Sequence, residues 1–136
     1  MIINLHFDSF NKNQFIYQGP YILLERNTQY QIAVRHINID LKGSQITKEN
    51  ELWCLSSNLV DRSSTNQYQS ISYFTLEKGR QSHNFIPASL VFYPLETHEL
   101  ENPYFKIRNI TKEKQVNIEK AFIQLEIRKC LESVNP

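Results

Sequence analysis

Ile3, Leu5 and Phe7 alternate with Asn4, His6 and Asp8 from the start of the chain. A period of two marks a strand with one dry face and one wet face. A polar turn follows at Asn11 to Asn13, and then Phe15-Ile16-Tyr17 and Tyr21-Ile22-Leu23-Leu24 flank Gly19-Pro20. That glycine-proline pair predicts a hairpin or a corner between strands. The longest extended run, Tyr30 to Leu41, changes phase: Tyr30, Ile32 and Val34 mark one face, Ile37, Ile39 and Leu41 the other. A β-bulge near Arg35-His36 would turn both apolar sets to one core, and a strand that exchanges sheets would leave the same signature.

Lys42-Gly43-Ser44 ends this run, and the polar stretch through Asn50 is the first substantial loop. Leu52-Trp53-Cys54-Leu55 opens a predicted strand partly covered on both faces. Asp61 to Asn66 has the Ser/Thr/Asn/Asp composition of an exposed connection. Further strands are predicted over Tyr68 to Glu77, closing at Lys78-Gly79-Arg80, over Leu90 to Tyr93 between Pro87 and Pro94, and around Phe105 and Ile107 after Pro103. In the last strand Ala121, Ile123, Leu125 and Ile127 alternate with polar residues. Val116 and Ile118 start in the opposite register, so a second phase change falls between Ile118 and Ala121. Ile110 to Arg128 contains good helix formers, but the strict alternation at its end decides for strand.

Eight or nine strands with frequent turns, no βαβ rhythm and no internal repeat predict an all-β, antiparallel β-sandwich, with the single jelly roll as its natural member. The expected organisation is one domain over residues 1–130 and a loose tail over 131–136. A length of 136 residues suits this. The 8 Phe, 7 Tyr and single Trp favour β-structure with an aromatic core, and 3 Gly leave little material for phosphate-cradling loops.

Fifteen basic residues against 14 acidic ones give no electrostatic case for a nucleic-acid surface, and the arginines are dispersed along the chain. No specific nucleic acid is expected as a partner. Nor is a membrane, since no apolar run reaches the length of a span. Cys54 and Cys130 make no disulfide framework, which points to a reducing compartment, and the first residues lack the basic and apolar regions of a secretory signal. Without such a signal, Asn109-Ile110-Thr111 is a chance match to a glycosylation acceptor.

Candidate chemistry is sparse. His6, His36, His83 and His98 are spread singly; the first two lie opposite the local apolar sets, the last two in polar loops. Cys54, between Trp53 and Leu55, reads as a small core hydrophobe rather than an activated thiolate. Ser56-Ser57 and Ser63-Ser64 lack the glycine-flanked elbow that exposes a nucleophile. Glu96, Glu99 and Glu101 cluster around His98, a pattern more often solvated than catalytic. Tyr68 and Tyr104, read as exposed aromatics in loops, are candidates for a stacking surface toward sugar or protein. The chain is therefore expected not to be an enzyme, and to have no catalytic, cofactor-binding or metal residues and no cofactor.

Leu-Trp-Cys-Leu-Ser-Ser-Asn-Leu-Val-Asp at 52–61, Asn-Phe-Ile-Pro at 84–87 leading to Leu-Val-Phe-Tyr-Pro-Leu at 90–95, and Phe-Ile-Gln-Leu-Glu-Ile-Arg at 122–128 form an ordered set. In this order they resemble the minor capsid, or penton, proteins of Maverick/Polinton-type virus-like elements and related double-stranded DNA viruses. The resemblance spans a little over half of the chain and carries no catalytic or ligand residue. It implies a single jelly roll that self-assembles at capsid vertices, as a pentamer rather than a trimer, beside a major capsid protein. The implied location is the virion, assembled inside the host cell. A trimeric receptor- or carbohydrate-binding β-sandwich, of fibre-head or cytokine-like type, is the alternative.

Overall fold

The computed structural model describes residues 1–8, 10–18, 22–49, 51–62, 68–95, 99–100, 102–110 and 115–130. Gly19-Pro20, Ser63 to Asn66, His98 and the tail over 131–136 lie outside the described residues. The architecture is all-β and antiparallel, with strands β1 (Ile2–Phe7), β2 (Gln14–Ile16), β3 (Ile22–Leu23), β4 (Tyr30–Leu41), β5 (Glu51–Arg62), β6 (Tyr68–Leu76), β7 (Ser82–Phe85), β8 (Tyr93–Pro94), β9 (Glu99–Leu100), β10 (Tyr104–Asn109) and β11 (Ile118–Lys129). Among the described residues eight of these have three residues or more, and β3, β8 and β9 have two.

One sheet runs β1-β11-β4-β7, with β8 also pairing β4; a second runs β2-β10-β5-β6; β3 and β9 form a separate pair. The first and last strands are thus neighbours, joined from Ile2↔Glu126 to Phe7↔Ala121. A single hydrophobic cluster takes side chains from both four-strand paths, which makes the whole sandwich-like. Phe7 of the first sheet meets Phe15 and Phe105 of the second at centroid distances of 4.6 and 5.7 Å, both edge-on. Trp53, Phe105 and Leu55 are fully buried beside Ile37, Ile39 and Ile123. Each such side chain stabilises the fold by about 1.5–3 kcal/mol relative to exposure.

Both phase changes in the sequence correspond to bulges in the β4–β11 pair. Gln124 faces His36 and Leu125 faces Val34, so Arg35 is the extra residue. Ile118 faces Leu41 and Lys120 faces Asp40, so Glu119 is extra on the other strand. With these insertions Tyr30, Ile32, Val34, Ile37, Ile39 and Leu41 all enter one core. Arg35 extends instead to Glu126, its Nη1 donating to Oε1 at 3.0 Å. A third irregularity, where Leu55 faces Ser72 but Ser56 faces Ser70, leaves Ile71 extra on β6. It explains why Ile71 and Phe74, three residues apart, are both buried.

Trp53, Cys54, Leu55, Ser56 and Ser57 are all buried and Leu52 is 44% exposed, as expected of a strand partly covered on both faces. Several expectations need correction. Leu90 to Phe92 form no strand; only Tyr93 and Pro94 pair, with Ile32 and Gln31. The paired strand of this region is instead the polar Ser82–Phe85, which lies along β4 from Ile37↔Phe85 to Asp40↔Ser82. His83 accordingly sits in a strand and not in a loop. Asp61 and Arg62, read as part of a connection, belong to β5.

Candidate functional site

The sequence of β1 and β2 builds a cleft where the two sheets meet. After β1 the chain turns through Asn11 to Gln14, each donating its backbone N–H to the other's carbonyl, at 2.9 and 3.1 Å. Lys12 takes a left-handed conformation at the tip, with φ of 60°. Asn13 fixes this turn: its Nδ2 donates to the Ile107 carbonyl at 2.6 Å, and the Ile107 N–H donates to its carbonyl at 3.0 Å. Asn13 is only 3% exposed, so this polar group is buried and satisfied in place. Beneath it Phe15 packs edge-on to Phe7 and Phe10 and stacks on Phe105.

The resulting cleft measures about 430 Å³. Phe10, Phe15 and Tyr104 supply its aromatic surfaces, and His6, Asp8, Asn11, Gln14 and Gln18 its polar rim. Tyr104 opens β10 and is half-buried there, rather than lying in a loop as expected. Its backbone N–H donates to Asn58 Oδ1 at 3.0 Å. A second hollow, of about 340 Å³, shares His6, Phe7 and Asp8 with the cleft and reaches Asn38, Asp40 and Lys120.

The outer face of the β1-β11-β4-β7 sheet carries neutral polar pairs around one aromatic ring, with the Arg35–Glu126 ion pair further along it. Gln124 Nε2 donates to Asn4 Oδ1 at 2.9 Å, His36 Nε2 donates to Asn84 Oδ1, and Asn38 Nδ2 reaches the same oxygen at 3.4 Å. Phe122 lies between His6 and His36, with centroid distances of 4.8 and 5.4 Å. Both histidines flank this ring on the outer face, as the local pattern implied. At the opposite edge, between β6 and β7, an apolar hollow of about 280 Å³ is lined by Val34, Ile71, Phe85 and Val91. Tyr73, Ile86 and Val91 are 52%, 66% and 58% exposed along this edge.

His83 is buried. Its Nε2 donates to the Arg80 carbonyl at 3.0 Å and its Nδ1 accepts from the Glu77 N–H at 3.4 Å, which ties the β6–β7 turn together. Loss of solvent on burial pushes its pKa below the ordinary 6.5, against the raising effects of the Arg80 carbonyl and Glu77. The sequence signal for this role was the histidine's place among Ser82, Asn84 and Phe85, in an alternation whose inward residue is not hydrophobic.

Cys54 is 2% exposed, flanked in register by Tyr73 and Arg108. Ser56 and Ser57 are also buried; Ser57 Oγ accepts from the Leu59 N–H at 3.2 Å, and Ser56 Oγ has no partner among the described residues. Asn109 closes β10, its Nδ2 donating to Glu51 Oε1 at 2.6 Å. Glu96, Glu101 and Thr111 lie outside the described residues, as do Ser63 and Ser64; for Glu99 and Tyr68 the described part is the backbone. No group of three or more His, Cys, Asp or Glu side chains is placed to hold a metal among the described residues. Comparison with protein-family models, with curated proteins and with solved structures gave no match.

Proposed function

We propose that the chain is a structural capsid protein, a single jelly-roll subunit that self-assembles at capsid vertices as a penton, or minor capsid, protein. The observation that carries this reading is the strand order. Opposing paths β1-β11-β4-β7 and β2-β10-β5-β6 set the first strand beside the last and split the eight longer strands evenly between sheets. A jelly roll has eight strands divided in this manner. The residues that resemble penton proteins fall on β5, on the end of β7 with the segment running to Leu95, and on β11.

Self-association draws further support from the exposed apolar side chains of Tyr73 and Val91 at their hollow, from exposed Ile86 just after β7, and from the neutral polar pairs on the outer face. The partners in this reading are further copies of the chain, five around a vertex, and a major capsid protein. The location is the virion. Native mass spectrometry of the purified chain tests it. A species of five chains is expected; a trimer would transfer the case to a receptor-binding β-sandwich, and a monomer at high concentration would remove it.

A further inference from the structure

We propose that the cleft at the β1–β2 corner is a binding site for a neutral saccharide, a mono- or disaccharide unit. The inference goes beyond capsid assembly and does not depend on it. At about 430 Å³ the cleft lies within the roughly 300–1,000 Å³ typical of small-ligand sites.

Its chemistry selects among ligand classes. No lysine or arginine is among the described lining residues and Asp8 adds a carboxylate, so the lining supplies no fixed cation for a phosphate or other anion; Lys106, opposite Gln14 in register, is not part of it. A lipid or purely apolar ligand would strip water from Asp8, Asn11, Gln14 and Gln18 without replacing it. A polyhydroxylated ring meets neither obstacle. Each side-chain amide offers two donors and an acceptor, and a carboxylate accepts from two hydroxyls, which complements groups that both donate and accept. No hydrogen bond among the described residues engages the side chains of Asp8, Asn11, Gln14 or Gln18. Phe10 and Tyr104, both half-buried, add aromatic surface for the apolar C–H face of a sugar ring.

The site is also preorganised. Gln14 is held by its backbone pair with Asn11, and the turn between them is pinned to β10 through Asn13. A ligand therefore meets groups whose backbone is already ordered, which lowers the entropic cost of binding.

The full chain, labelled with ¹⁵N, is titrated with glucose, galactose, mannose, N-acetylglucosamine and their disaccharides, with glucose 6-phosphate as the anionic probe. Amide resonances of Asn11, Gln14 and Gln18 should shift saturably with at least one neutral sugar below about 50 mM. Glucose 6-phosphate should bind less tightly than glucose. Gln14→Ala and Asp8→Ala should each weaken binding about tenfold, the loss expected for one well-made hydrogen bond. Asn84→Ala, on the outer sheet face, should leave it unchanged. Melting temperature verifies that each variant folds, and Gln18→Ala, at an exposed position after β2, replaces any that does not. Absence of saturable shifts with every neutral sugar, unchanged affinity in the folded cleft variants, or tighter binding of glucose 6-phosphate would each overturn the proposal.

Discussion

The β4–β11 pair and the stretch from β7 to β8 belong to the same sheet, yet they relate to their sequences in opposite ways. In the pair, two strands of 12 residues face core on one side and water on the other, with a neighbour along each edge. Their hydrophobic pattern therefore carries both the strands and the positions of the bulges. Along β7, at the sheet's edge, the alternation is also present, with Ser82 and Asn84 exposed and His83 buried. Its inward position is filled by a histidine satisfied through Arg80 and Glu77, so hydropathy does not reveal it. The apolar run Leu90 to Phe92 lies unpaired beside that edge, with the Arg128 guanidinium 3.5 Å above the Phe92 ring centroid. In this run, half-buried at Leu90 and Phe92 and 58% exposed at Val91, hydrophobicity marks neither burial nor pairing, whereas in the β4–β11 pair it marks both.

The largest expected effect comes from breaking the phase of β4. One alanine inserted between Ile37 and Asn38 turns Ile39 and Leu41, now 1% and 0% exposed, toward water. Losing the burial of two such side chains costs about 3–6 kcal/mol, enough to unfold many domains of this size. Deleting Arg35 does the reverse. It removes the extra residue, brings Val34 and His36 into regular succession opposite Leu125 and Gln124, and keeps every inward side chain inward. It loses local twist and the ion pair to Glu126, whose partly exposed geometry is worth about 1 kcal/mol or less. Urea denaturation should rank the deletion well above the insertion in stability. Equal destabilisation would show that the bulge does not set the phase.

The same contrast explains what the sequence made legible elsewhere. The turn at Asn11 to Asn13 and the strands around it were evident from composition and alternation. The cleft they form was not, because it requires β10 to bring Tyr104 opposite Ile16 of β2, a pairing of distant segments. Tyr104 stood out as a stacking candidate through its chemistry alone. Ile46 shows the converse: it lies in a polar loop yet is 2% exposed, a burial that no local pattern announces. Its carbonyl accepts the Gly79 N–H at 3.1 Å, where a φ of 76° suits glycine. Local periodicity specifies which face of a strand is dry, whereas sites and loop anchors depend on which strands become neighbours.

A smaller effect separates the seam from the edge at the level of single side chains. Leu125, 2% exposed on β11, should lose about 2–5 kcal/mol on substitution by alanine, from transfer and from the cavity left behind. Ile86, 66% exposed after β7, should change by no more than about 0.5 kcal/mol in the same substitution of the monomer. Denaturation at low protein concentration measures both. A cost at Ile86 comparable to that at Leu125 would mean that the edge carries as much of the folding stability as the seam.

The smallest effect concerns His83 and sharpens why a polar strand is stable at the edge. Burial disfavours the charged imidazole, so its folded pKa lies below the 6.5 of the free group. Below pH 6.5 the unfolded chain binds this proton more readily than the folded one. The stability that the neutral ring contributes is therefore present above pH 6.5 and is lost as the pH falls through the folded pKa. The neutral form also fits the geometry, since one nitrogen donates to the Arg80 carbonyl while the other accepts from the Glu77 N–H, a role the doubly protonated ring cannot fill. Wild type should thus lose more stability between about pH 7.5 and about pH 5.5 than His83→Gln, whose side chain does not titrate. Parallel pH profiles for the two proteins would show that the β6–β7 turn does not depend on a neutral His83.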